Sequence, residues 1–142
     1  MAKPTTAVRY EADLVAWTEQ TAQLLRERRF DEIDVEHLAD EVQSLAGRDR
    51  REVLSRLRVL LTHLLKWKHQ PDGSMIATQR DELELLFKDS PSLERGLAAA
   101  VAQVYRDAVN IAAIETGLPR DALPPKCPFT RKQILDRTYR PE

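Results

Sequence analysis

Apolar residues recur along this chain at three- and four-residue steps almost throughout, the spacing that gathers side chains on one face of an α-helix. Leu14, Trp17, Thr21, Leu24 and Leu25 share such a face and predict a first helix from about Thr6 to Arg28. Arg26, Arg28 and Arg29 close it, with positive charge at the negative end of the helix dipole. After a link at Phe30–Ile33, Asp34 suits an N-cap, because its carboxylate can accept from the free amides of a first turn. Val35, Leu38, Val42 and Leu45 form the stripe of a second helix. Gly47 predicts a break after it, as a C′ glycine, with Asp49 and Glu52 making a capping-box-like restart. A single helix over 35–69 would be roughly 50 Å long, awkward for a small globule. The third helix carries Val53, Leu54, Leu57, Leu60, Leu61, Leu64, Leu65 and Trp67, an arc wide enough for the central helix of a bundle.

His69-Gln70-Pro71-Asp72-Gly73 punctuates its end. A fourth helix is expected over Ser74–Lys88 on Ile76, Leu83, Leu86 and Phe87. Ser90-Pro91 restarts the chain, with proline at the first helical position, where its missing amide hydrogen costs nothing. The fifth helix uses Leu97, Val101, Val104, Ala108 and Ile111, and stops at Gly117 with Pro119 beyond. Residues 118–129 hold four prolines and read as a loop. A short last helix follows Thr130, with Gln133 completing a capping box. Val, Ile and Thr never alternate with polar residues over a strand length. The expected fold is all-α: one domain over 1–142, a bundle of five or six helices around helix three, with 1–8 as a flexible N-terminus.

Charge and cysteine content narrow the function classes. Lys plus Arg number 22 and Asp plus Glu 23, a near-balance that supplies no global field for nucleic acid or an anionic membrane. No uninterrupted apolar run approaches the ~20 residues that span a bilayer, and no secretory signal pattern opens the chain. Cys127 is the only cysteine, which excludes an intramolecular disulfide and fits a reducing, cytoplasmic compartment.

Several segments resemble a known family. Tyr10-Glu-Ala-Asp-Leu-Val-Ala-Trp17, Leu57-Arg-Val-Leu-Leu-Thr-His-Leu-Leu-Lys-Trp67 with Gln70-Pro71, Ser90-Pro-Ser-Leu93, Glu115-Thr-Gly-Leu-Pro119 and Cys127-Pro-Phe-Thr130 are similar, in order and spacing, to blocks of the bacterial family called domain of unknown function twenty-nine. The resemblance covers nearly the whole chain. It implies an all-helical fold and brings no assigned activity. Where family members usually carry a longer, basic, tryptophan-containing stretch after the matching proline, this chain has Asp72-Gly73-Ser74-Met75.

Three constellations could carry chemistry. His37 and Glu41, four apart on one helix, could join His63 around a metal, since imidazole and carboxylate suit zinc or iron. A di-iron bundle needs two Glu-x-x-His motifs, and the chain has none. Arg58 and His63 form an Arg-x-x-x-x-His spacing, with Arg56 as an alternative arginine, which resembles the helical ribonucleases of the HEPN superfamily. There arginine would stabilise phosphate charge and histidine would serve as general acid or base near pH 7. On an ideal helix the two side chains point roughly 140° apart. Lys66 and Trp67, where that helix ends, are candidates for binding. Arg48, Arg50, Arg51, Arg56 and Arg58 form the one basic cluster, interrupted by Asp49 and Glu52; it reads first as a solvated helix start, with a phosphate-contacting patch for nucleic acid, unsupported by the net charge, as the lesser alternative. Lys126 could lower the Cys127 thiol pKa modestly, but no histidine lies near in sequence, so Cys127 reads as an apolar plug. No glycine-rich phosphate loop, zinc spacing or Ser/His/Asp motif is present. The leading expectation is a non-enzymatic interaction or oligomerisation module, without cofactor, whose partner is a second copy or another protein. A metal-independent ribonuclease is the alternative, and a metal- or small-molecule-binding bundle the second.

Overall fold

The computed structural model describes residues 7–142. Among them are six α-helices and no strand: α1 (Leu14–Arg26), α2 (Val35–Leu65), α3 (Gly73–Asp89), α4 (Pro91–Arg95), α5 (Leu97–Thr116) and α6 (Arg131–Leu135). The chain divides into two compact units, Met1–Gly47 and Arg48–Glu142.

In the first unit α1 begins at Leu14, later than the expected start near Thr6, a residue outside those described. The amides of Ala12 and Asp13 both donate to the Arg9 carbonyl, making a turn. Asp13 is extended (φ −155°) and its carboxylate accepts from the Ala16 amide, so it caps the helix and fixes its start. The far end closes as a Schellman motif: the amide of Arg29 donates to the Leu24 carbonyl and that of Arg28 to Leu25. Arg28 occupies the left-handed position of this motif (φ 58°), where glycine is usual. A 3₁₀ turn at Phe30–Glu32 leads to Asp34, whose side chain accepts from the His37 amide at 3.2 Å as the sequence predicts.

The expected break at Gly47 is corrected by the structure, where α2 is one helix from Val35 to Leu65. Gly47 is absent from the positive-φ residues, so it makes no left-handed cap. A glycine inside a helix costs only ~1 kcal/mol relative to alanine, less than abandoning a turn of hydrogen bonds. Gly47 instead marks the limit between the two units: a boundary of packing that the backbone crosses unbroken. α2 also ends at Leu65, short of His69, because turns take over at Lys66–Gln70.

The second unit holds the large core. The C-terminal half of α2 supplies Val53, Leu57, Leu60, Leu61 and Leu64, which agrees with a central helix in that stretch. Ile76, Leu83 and Phe87 of α3, Leu97, Val104, Tyr105 and Ala108 of α5, and Ile134 of α6 complete the buried cluster. The fifth predicted helix is divided at Gly96, which caps α4 and precedes α5. Its amide donates back to Leu93, three residues away, the tighter bond that closes a helical turn. α5 is long and apolar enough by composition to cross a membrane, and its Leu97, Val104, Tyr105 and Ala108 lie in the core cluster. Gly117 (φ 74°) ends it in the left-handed conformation expected of it. The Thr130–Gln133 capping box of α6 is present in both directions.

Candidate interaction surface

Among the described residues of the N-terminal unit only Trp17 and Thr21 are buried. At 100° per residue, Trp17, Gln20, Thr21 and Leu24 occupy one arc of α1, and Leu14, Val15 and Leu25 the neighbouring arc. The first arc is buried or half-buried, whereas Leu14, Val15 and Leu25 are exposed. On α2, Val35, Val42 and Leu45 are 63%, 58% and 54% exposed, so the predicted stripe of the second helix is largely uncovered.

One side of this unit is tightly built. The Tyr10 ring stacks on His37 with centroids 4.1 Å apart, and Trp17 meets Tyr10 edge-on at 5.0 Å. Tyr10 Oη donates to Glu41 Oε1 at 2.5 Å. His37 Nδ1 lies 2.5 Å from Asp34 Oδ2, and Nε2 lies 3.6 Å from Glu11. The Asp34 hydrogen bond, with nearby acids, raises the His37 pKa above the ordinary imidazole value of 6.5. His37 is therefore a proton-dependent clip between the segment before α1 and the start of α2. A histidine with a raised native pKa contributes stability that is fully present below pH 6.5 and is lost as pH rises through the native value. An NMR titration should place the His37 midpoint above 6.5, and Asp34→Asn should bring it back toward 6.5. An unshifted wild-type midpoint would show that the pair does not hold in solution.

His37 and Glu41 thus reach one cluster through Tyr10, while His63 belongs to the other unit. No group of three His, Cys, Asp or Glu side chains among the described residues is arranged to hold a metal ion.

In the second unit, Lys66 is 8% exposed. Its ammonium pairs with the Glu115 carboxylate and donates to Gln70 Oε1 at 3.3 Å, while Gln70 Nε2 donates to the Glu115 carbonyl at 2.7 Å. Lys66 therefore fastens the end of α2 to the end of α5. His63 sits nearby with a buried Nδ1 that has no hydrogen-bond partner. Burial, then the Lys66 charge, lowers its pKa, so it stays neutral at pH 7. Arg58 is exposed, and no hydrogen bond or ion pair joins it to His63. Arg56 is engaged by Glu52 at 2.7 Å, Gln79 at 3.4 Å and Glu82 at 4.0 Å. The Trp67 ring packs on the core, with the Arg140 guanidinium 5.5 Å above it. Cys127 packs against the core as the expected plug, its Sγ 3.7 Å from the Phe129 carbonyl. Burial pushes its thiol pKa up, opposite to the lowering that Lys126 could have supplied and in line with the plug. A cleft of about 620 Å³ beside α5, lined in part by Tyr105, Arg106 and Arg120, contains none of the predicted site residues.

Three of the segments that carry the family resemblance meet in this second unit: Lys66 and Gln70 of one block hold Glu115 of another, and Cys127 and Phe129 of a third close on the same core. The family model described as Domain of unknown function DUF29 matches residues 9–140. The chain belongs to that family. No curated protein and no solved structure is found to match it. The DUF29 match spans both units, so the exposed stripe of α2 and the core of the second unit are both within the family's extent. The DUF29 chain also carries one anchoring residue that periodicity did not single out, Arg80. It is 2% exposed and donates from Nε, Nη1 and Nη2 to the carbonyls of Ile134, Tyr139 and Gln133 at 2.9, 2.9 and 2.8 Å. Its acceptors are backbone atoms more than fifty residues away, so no local spacing marks it.

Proposed function

We propose that this chain is a non-enzymatic interaction module whose binding surface lies on its N-terminal unit. One observation carries the reading. Among the described residues, seven of the nine exposed large hydrophobic residues fall in that unit, which buries only two side chains. Leaving this many apolar side chains in water forfeits about 1.5–3 kcal/mol for each that a partner would bury fully. Patches of that kind mark interaction sites. The lone, half-buried cysteine is in keeping with a cytoplasmic setting. A catalytic reading has less support, since Arg58 and His63 share no contact and the His63 Nδ1 is enclosed.

Site-specific photo-crosslinking tests the proposal. A photoreactive residue at Val42 is expected to give protein adducts in the intact host cell, while one at the exposed polar Glu19 gives far fewer. Equal yields at both positions, or none at Val42, would sink the interaction reading.

A further inference from the structure

The uncovered stripe of α2 has a charge environment that selects its occupant. Val35, Leu38, Ala39, Val42, Leu45 and Ala46 fall at the a, d and e positions of two successive heptads, an arc of roughly 120°. That is the face a helix turns toward a bundle. Here all but Leu38 are exposed, and Leu38 is half-buried. Asp34 and Glu41 border the arc on one side and Glu36 flanks it on the other, with Asp40 on the far face of the helix. Between Arg29 and Arg48 the chain has six acidic residues and no Lys or Arg. Residues 1–47 as a whole carry five Lys and Arg against ten Asp and Glu.

We infer that this face receives an amphipathic helix of another protein, with a Leu-rich stripe flanked by Lys and Arg. The inference rests on the interaction reading above and adds the partner's chemistry. Apolar anchors at heptad spacing supply the helix-in-groove mode of recognition. The acidic borders make a cationic partner electrostatically complementary. They also work against a second copy, because pairing this stripe with itself brings the same acids together on both margins. Anionic bilayers are repelled for the same reason.

Two synthetic helical peptides with the same Leu/Ala stripe, one flanked by Lys and one by Glu, test this by fluorescence anisotropy against the full chain. The Lys-flanked peptide is expected to bind at least tenfold more tightly than the Glu-flanked one, and to weaken as salt rises. Val42→Ser with Leu45→Ser should abolish binding without loss of helical signal, since both side chains are already exposed. Glu36→Lys should narrow the preference between peptides, since Asp34 and Glu41 keep the other border acidic. Equal binding of the two peptides, or no binding of either, overturns the inference. So does self-association by sedimentation that Val42→Ser and Leu45→Ser remove, because a second copy then holds the face. In that last case the interaction reading survives, whereas absence of crosslinks at Val42 would remove both.

Discussion

Leu60→Ala and Leu64→Ala are each expected to destabilise the protein by about 2–5 kcal/mol. Both side chains sit on the inner face of α2, Leu60 at 0% and Leu64 at 1% exposure, inside the core cluster that α3, α5 and α6 close. Truncation removes the transfer free energy of the lost methyl groups and leaves a cavity that neighbouring helices fill only partly. Against a total stability of ~5–15 kcal/mol for a domain, either change consumes a large share. Leu45 lies on the same helix but is 54% exposed, so Leu45→Ala serves as an internal control expected to cost under ~1 kcal/mol. Urea unfolding of the three variants, with matched slopes, measures the difference. Losses under ~0.5 kcal/mol at Leu60 and Leu64 would remove α2 from the core.

The second large effect is expected at Arg80. Replacing it with Met keeps much of the stem's packing but strips three charge-assisted hydrogen bonds from the carbonyls of Gln133, Ile134 and Tyr139. Carbonyls left without a donor each cost ~1–3 kcal/mol unless the segment opens to water. The expected result is a loss of about 3 kcal/mol or more, with the amides of Ile134–Tyr139 losing exchange protection ahead of the core. Arg80→Lys should recover only part, because an ammonium cannot reproduce the planar fork that reaches three acceptors at once. Desolvation lowers the Arg80 pKa, yet guanidinium stays charged across the working range. If Arg80→Met leaves both stability and protection at 134–139 unchanged, the three bonds do not anchor the C-terminal segment.

Local chemistry was the legible part of this fold. The Asp34 cap, the Gly117 stop and the Thr130–Gln133 box each depend on a few neighbouring residues, and each occurs as the sequence predicts. Helix continuity was less legible, because it balances local preference against packing. Of two glycines within helical patterns, Gly47 is retained in a helix and Gly96 interrupts one, although Gly47 had the more suggestive flanks. The candidate surface was half-visible. Periodicity marked Val35, Leu38, Val42 and Leu45 as one face, but only the structure tells that the face is largely uncovered. Long-range polar contacts were invisible: Lys66 to Glu115 spans 49 residues and Arg80 to Tyr139 spans 59.

That last separation bears on how the protein is made. Arg80 and the apolar face of α2 leave the ribosome well before Gln133–Tyr139 exist, so for that interval the guanidinium has none of its acceptors and the core lacks Ile134. Packing of the second unit is thus completed late in synthesis, by the kind of non-local closure that slows folding. A nascent chain halted in α5 presents Leu57, Leu60 and Leu64 with that closure missing, which makes it a natural client for chaperones and proteases.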